Sequence, residues 1–400
     1  MDAVTLGMAK ADARRRYQRP ATGHFAALGD SITALGDSSG GTPVVNRNVQ
    51  AQHGYSWHVH LAALADSRIR RDGYFATPGF TLTQIKNTHL PQVLAMTPRP
   101  EACIIGGGTN GVDSPEPNWT ALMDIVQALV AAGIRPILVK IPPRHDSNSF
   151  VPAVMSWNAR VERFAADNGF QIFDMFTPVV DPSAGIYAGG LTYTGDYVHP
   201  NAKGLYEIAK YNANRPLWLN RFGEATQRIT PAIGDPANLI DSNRGLFAQD
   251  ANADGLADGW TVGAAGATFS RVQDTDGYWI QYLNKAPSSS TLGGIYRAVT
   301  TGFAPGDRVA LAASVFCDAA DLVFSLIAAP YNSSGAALDE TLQLDAAKDV
   351  RGGVYTGQRF RAEYIVPAGT ASFRVLAQVG SAAPAAASKF GVKRLTFEKL

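Results

Sequence analysis

Three residues of this chain have the types and spacing needed for nucleophilic acyl transfer. Ser31 follows an apolar run and a glycine in Ala26-Ala27-Leu28-Gly29-Asp30-Ser31-Ile32-Thr33, where a strand would turn into the next element and the hydroxyl would project from the sheet edge. Asp196 and His199 stand three apart in Asp196-Tyr197-Val198-His199-Pro200-Asn201, just ahead of a helix-length segment. An aspartate at that spacing can fold back onto the imidazole. It would fix the tautomer that leaves the other ring nitrogen able to take a proton from serine, and it would stabilise the imidazolium that forms. Donors for the oxyanion of a tetrahedral intermediate are the remaining requirement. Two glycine-bearing stretches offer them: Pro78-Gly79-Phe80-Thr81, where a glycine lets a backbone N–H approach closely, and Gly106-Gly107-Gly108-Thr109-Asn110, which would deliver the Asn110 amide.

Each piece alone also has an ordinary reading. Ser31 suits a turn or helix cap, Asp196 to His199 suits a capped helix start with a surface histidine, and the glycine stretches suit plain turns. A second Gly-Asp-Ser occurs at Gly36-Asp37-Ser38, but Ser38 lies in a Ser/Gly-rich loop with no strand to hold it, so Ser31 is the expected nucleophile. Taken together, the four blocks resemble, in order and spacing, the SGNH (GDSL-like) hydrolases over roughly residues 22–215. That resemblance implies a flavodoxin-like three-layer α/β/α fold and ester hydrolysis through an acyl-enzyme. It also implies an oxyanion hole from the Ser31 N–H, the Gly79 N–H and the Asn110 side chain, with no cofactor needed for catalysis. The chain departs from the family pattern at Gly111, where an aspartate is common, and at Phe75-Ala76-Thr77-Pro78, which lacks the usual leading asparagine. Neither departure removes a catalytic atom; both bear on the subfamily and on the shape of the acyl pocket.

These residues need a scaffold, and residues 24–215 alternate short apolar runs with amphipathic stretches, the pattern of a parallel sheet covered by helices. Strands are expected at His24–Leu28, Tyr74–Ala76, Ala102–Ile105, Pro136–Ile141 and Gln171–Phe173, with helices around 55–67, 83–96, 118–132, 155–168 and 202–213. Residues 1–21 form a lead segment, 22–222 the hydrolase domain and 223–238 an aperiodic Pro/Gly/Ala-containing linker. Beyond it the pattern changes to period two, as in Arg359 to Tyr364 and Ser372 to Val379, which marks half-buried strands. With further strands near 278–283, 307–317, 321–329 and 389–398, residues 239–400 read as an all-β antiparallel sandwich (jelly roll). All seven histidines lie between His24 and His199, so histidine chemistry belongs to the first domain.

A length of 400 residues suits two or three domains, and a net charge of +1 with 17% charged residues provides no field to attract nucleic acid. Two cysteines, in different halves, argue against a disulfide framework. The first twenty residues carry charges throughout and lack a signal-peptide core, and no uninterrupted apolar run is long enough to insert in a membrane.

Weaker signals complete the reading. Asp250, Asn252, Asp254 and Asp258 have the spacing of a calcium-wrapping loop, although Thr261 stands where a twelfth-position acid would be; a plain Asp/Gly turn is the competing account. His53, His58 and His60 cluster without acidic or thiol partners at ligand spacing, and His145 reads as a loop residue near the site mouth. The second half resembles, in a general way, jelly-roll carbohydrate-binding modules. Trp260, Tyr278 and Trp279, with Tyr282 and Tyr296, could stack on sugars or fill the sandwich core. The segment Val4 to Ala13 resembles helices that precede receptor-processing domains in bacteriophage tail proteins. The expected function is a short-acyl carbohydrate O-deacetylase acting on a surface polysaccharide, virion-borne or extracellular, and trimeric if part of a tail. A cytoplasmic location, a lipase or lysophospholipase activity, and a non-catalytic polysaccharide-binding adhesin are the alternatives.

Overall fold

After its first residue, strand β1 (His24–Gly29) is buried throughout, and its side chains alternate between two apolar clusters. Phe25 and Ala27 pack with Trp57, Ile104, Phe173, Leu205 and Ile208; Ala26 and Leu28 pack with Leu82, Ile85, Ile105, Leu138 and Trp157. A strand with both faces covered belongs to a parallel sheet between two helical layers. The computed structural model describes residues 24–34, 56–65, 70–147, 149–215, 238–240, 245–338, 352–380 and 383–400, which fall into two compact units. The lead segment, Ser38, His53 and residues 223–237 lie outside them.

In the first unit, β1 sits between β2 (Arg70–Ala76) and β3 (Ala102–Ile105), followed outward by β4 (Arg135–Lys140) and β5 (Gln171–Asp174); every pair is parallel. The order β2-β1-β3-β4-β5 is flavodoxin-like, and the connections reverse direction at β1 and β3. The crevice beyond the strand ends at such a switch point is where ligands bind in open α/β sheets. Two short antiparallel strands, β6 (Val180–Asp181) and β7 (Ile186–Tyr187), follow β5 in the chain, and helices α2 (Trp57–Leu64) and α7 (Ala202–Ala213) cover one face of the sheet. Helices α3 (Leu82–Thr88), α4 (Leu90–Leu94), α5 (Pro115–Ala131) and α6 (Phe150–Asn168) cover the other; α1 (Ser31–Ala34) is a single turn. The single helix expected at 83–96 is divided at His89, because Pro91 has no N–H to continue the ladder. No helix among the described residues is long and apolar enough to cross a membrane.

Three buried asparagines tie helices to backbone near the carboxyl edge of the sheet, two of them to strand ends. Asn158 of α6 accepts from the Ile141 N–H and donates to the Ile141 carbonyl, both at 2.9 Å. Asn212 of α7 does the same to Asp174 at the end of β5, again at 2.9 Å on each side. Asn118 of α5 accepts from Leu82 N–H and donates to the Asn110 carbonyl at 2.7 Å. A primary amide presents a donor and an acceptor side by side, so each side chain pairs with backbone much as a neighbouring strand would.

The second unit is a sandwich of two antiparallel sheets. One has the order β14-β12-β16-β10-β9, made of Tyr355–Ile365, Arg308–Cys317, Ser388–Lys399, Trp279–Lys285 and Thr268–Gln273. The other has the order β13-β15-β11-β8, made of Phe324–Tyr331, Ser372–Val379, Gly293–Val299 and Thr261–Ala265. Phe324 stacks on Phe390 at 4.6 Å between ring centres and meets Tyr355 and Phe360 edge-on. Strands β8, β9 and β11 were not anticipated from sequence. Strand β8 is small-residue and mostly exposed, so it carries no alternation to recognise. The sandwich also begins one residue inside the expected linker: Asn238 accepts from Phe397 N–H, and Leu239 N–H donates to Phe397 O at 2.7 Å.

Replacing Asn212 by Ala would leave the Asp174 N–H and carbonyl buried without partners. Urea unfolding should show a loss of about 2–4 kcal/mol, several times that of an exposed Asn→Ala change.

Candidate active site

The turn after β1 is held from both sides. Gly106 N–H donates to Leu28 O at 2.8 Å and Thr77 N–H to Gly29 O at 3.1 Å, so the segments after β3 and β2 brace the end of β1. A Cβ on Gly106 would overlap Thr33, which is why the two turns can approach this closely. The Asp30 carbonyl then starts the helical turn by accepting from Thr33 and Ala34 N–H.

At that turn the structure brings the three expected residues together. Ser31 Oγ lies 2.8 Å from His199 Nε2, and His199 Nδ1 lies 2.9 and 3.0 Å from the two oxygens of Asp196. With the Nδ1 proton directed at the carboxylate, Nε2 is the acceptor for the serine hydroxyl. Asp196 also accepts from the backbone N–H groups of Val198 and His199, which folds the chain around its own carboxylate. The His199 carbonyl accepts from Thr192 Oγ1 at 2.7 Å, the Val198 carbonyl from Tyr187 at 2.8 Å, and Asn201 caps α7 through Gly204 N–H. Imidazole and carboxylate are both partly exposed, as a site that must admit substrate requires.

The expected oxyanion donors are at the neighbouring strand ends. Gly79 has φ +79°, a conformation suited to glycine, and its N–H has no partner among the described residues. Ser31, first in its helical turn, has no intrahelical acceptor for its N–H. Asn110 donates one amide hydrogen to Phe80 O at 3.0 Å, leaving the other for a reacting oxygen. His89, not singled out from sequence, braces this region: its Nε2 lies 3.1 Å from Thr77 Oγ1 and its ring stacks on Phe80. Burial lowers its pKa, against the opposing pull of its hydrogen bond to Gln92.

Asp30 is a second residue missed by the sequence reading. It is 1% exposed; Oδ1 accepts from Ile32 N–H, and Oδ2 has no partner. Burial raises its pKa to about 6, against the opposing pull of the Ile32 N–H, His199 and Arg144. His145 stands in the loop after β4, its N–H donating to Tyr197 O at 3.2 Å, near the site mouth as expected.

One further expectation is corrected. Trp260 is 6% exposed and packs on Phe247, so it is core and cannot stack on a sugar. Tyr278 and Trp279 each carry a guanidinium over the ring, from Arg394 at 4.0 Å and Arg271 at 4.9 Å. His58 and His60 are buried on α2 against Trp57 and Tyr206. In the expected calcium loop, Asp250 accepts from Asp254 and Gly255 N–H and pairs with Arg271, Asn252 donates to Asp254, and Asp258 accepts from Ala251 N–H. No group of three acidic, histidine or cysteine residues placed to hold a metal ion occurs among the described residues.

Residues 27–205 match the model of the GDSL-like lipase/acylhydrolase family. No curated protein matches the chain. Among solved structures, a member of the lipolytic protein G-D-S-L family from Veillonella parvula is similar at 16% identity and TM-score 0.37, over 47% of this chain and 94% of that one. The enzymatically active domain of bacteriophage CBA120 tailspike protein 4 is similar at 13% identity and TM-score 0.32, over 41% of this chain and 22% of that one. The CBM22-1 xylan-binding domain from Paenibacillus barcinonensis is similar at 14% identity and TM-score 0.27, over 36% of this chain and 88% of that one.

Two measurements check the site. Ser31→Ala and His199→Ala should each lower kcat on an acetate ester by about 10⁴-fold or more, and the double variant should be no worse, because groups acting as one unit are non-additive. Melting temperatures should barely move. For Asp30, a carboxyl raised from 3.8 to about 6 on folding binds more protons folded than unfolded between those values. Its contribution to stability is therefore greatest in acid and falls as pH rises from about 4 to about 6. Asp30→Asn should gain stability over wild type above pH 6, by up to about 3 kcal/mol, and lose that gain near pH 4 in urea melts.

Proposed function

We propose that the protein is a serine esterase that removes short acyl groups, chiefly acetyl, from a polysaccharide; the match of residues 27–205 to the model of the GDSL-like lipase/acylhydrolase family supports ester hydrolysis. The Ser31–His199–Asp196 chain of hydrogen bonds at the sheet's switch point carries this reading. His199 Nε2 takes the Ser31 proton as Oγ attacks the acyl carbonyl. The oxyanion is held by the N–H groups of Ser31 and Gly79 and by the Asn110 amide. His199 then gives its proton to the departing sugar oxygen, leaving an acyl-enzyme. Water, deprotonated by His199, releases the acid and restores Ser31. Every step runs through protein groups, without a cofactor.

Support for a sugar substrate comes from the polar and aromatic character of the described rim: Asn110, Arg144, His145 and Tyr197 suit hydroxyl-bearing rings better than an alkyl chain. On the second unit, Arg374 lies over the rings of Tyr331 and Tyr296, at 4.3 and 5.2 Å, on the sheet face opposite the buried Phe373, Val375 and Ala377. These two tyrosines, in place of Trp260, are the surface by which the sandwich binds polymer. A virion-borne setting draws on Val4 to Ala13, outside the described residues.

Acetate esters should be turned over faster than octanoate esters of the same alcohol; better turnover of octanoate would make the enzyme a lipase instead. Tyr296→Ala with Tyr331→Ala should lower the fraction of protein adsorbed on insoluble acetylated polysaccharide by about tenfold, the scale of losing stacked aromatic contacts.

A further inference from the structure

Tyr197 occupies an unusual position between Asp196 and His199. Its φ is +59°, a left-handed conformation that asparagine or glycine would adopt with less strain, and its side chain is 44% exposed. The turn of the chain around the Asp196 carboxylate accounts for the backbone, through the Val198 and His199 N–H groups. It does not account for a large aromatic ring at the tip. That ring is also held in place: its centre lies 4.7 Å from that of His145, whose own N–H donates to the Tyr197 carbonyl. His145 in turn contacts Tyr187 at 6.0 Å, and Arg144 beside it donates to Thr109 O, tying this loop to the stretch that carries Asn110. An exposed ring is thus backed by His145, two residues from His199.

The location has a chemical consequence. In ester cleavage the departing alcohol oxygen must reach the imidazolium to receive its proton, so groups flanking His199 face the alcohol half of the substrate. A pyranose ring has faces of C–H groups, which pack on an aromatic plane, and an edge of hydroxyls, which can bond to a phenol. We propose that Tyr197, backed by His145, is the platform on which the sugar ring of the acylated substrate stacks, making it the determinant of alcohol-side specificity. This inference builds on the carbohydrate esterase reading above, and its test separates the two.

The full-length protein would be assayed on a monoacetylated methyl glucopyranoside and on ethyl acetate, which has no ring to stack. Tyr197→Asn keeps a residue that tolerates the left-handed backbone, and Tyr197→Phe keeps the ring. In Tyr197→Asn the ratio of kcat/KM for the sugar acetate to that for ethyl acetate should fall about tenfold, mainly through KM, whereas Tyr197→Phe should stay within about threefold of wild type. A Tyr197→Asn variant that keeps the wild-type ratio, whether or not both activities drop together, would overturn the platform and leave Tyr197 a residue of the triad loop only. A wild-type enzyme with no preference for the sugar acetate would instead overturn the carbohydrate reading itself.

Discussion

A 2.8 Å hydrogen bond joins Ser31 and His199 across 168 positions of chain, and a set of directional bonds at the sheet's carboxyl edge holds its two ends still. Misplacing reacting groups by about 1 Å can cost two orders of magnitude in rate, so the tolerance is narrow. At the serine end, N–H groups from the segments after β2 and β3 close on the last carbonyls of β1. At the histidine end, Thr192 and Tyr187 hold the carbonyls of His199 and Val198, while Asn201 and Asn212 fix the helix that follows. The core sets the sheet; directional bonds at its carboxyl edge set the site.

Two carboxylates near Ser31 show how surroundings divide roles. Asp196 is partly exposed and receives two backbone N–H groups and the imidazole, so its charge is well satisfied. Asp30 is sealed in, with one N–H and an unpartnered oxygen, and its charge is resisted by burial. Only the first is placed to orient His199. The second is a local conflict of the kind proteins retain where function constrains a turn, with the extended end of β1 on one side and the helical turn on the other.

Tyr197 follows from the same economy of local geometry. Once Asp196 wraps the chain around itself to reach His199, one residue must take the left-handed conformation and point outward. The second unit uses its aromatics differently: Phe324, Tyr355, Phe360 and Phe390 form a closed cluster, and Trp260 is drawn into the core against Phe247. Ring type alone does not separate the rings that fill the interior from those, such as Tyr296 and Tyr331, that flank a guanidinium on the outer face.

How much was legible in the chain depends on the range of the physics involved. Aspartate three residues before histidine, serine after an apolar strand, glycines at turns and period-two strands are local patterns, so the sequence by itself determined the fold class, the strands of the first sheet and the choice of Ser31, Asp196 and His199 as the candidate constellation. The break of a helix at Pro91 was equally local, and a missing N–H should have announced it. The tertiary structure alone decided that Asn158 and Asn212 clamp strand ends and Asn118 joins α3 to the Asn110 loop, that Asp30 is sealed while Asp196 is not, that Trp260 is core, and that His145 meets Tyr197. Each of these outcomes depends on which residue far along the chain arrives at the same place, and burial and hydrogen-bond partnership of that kind leave no periodic trace in the residues that take part.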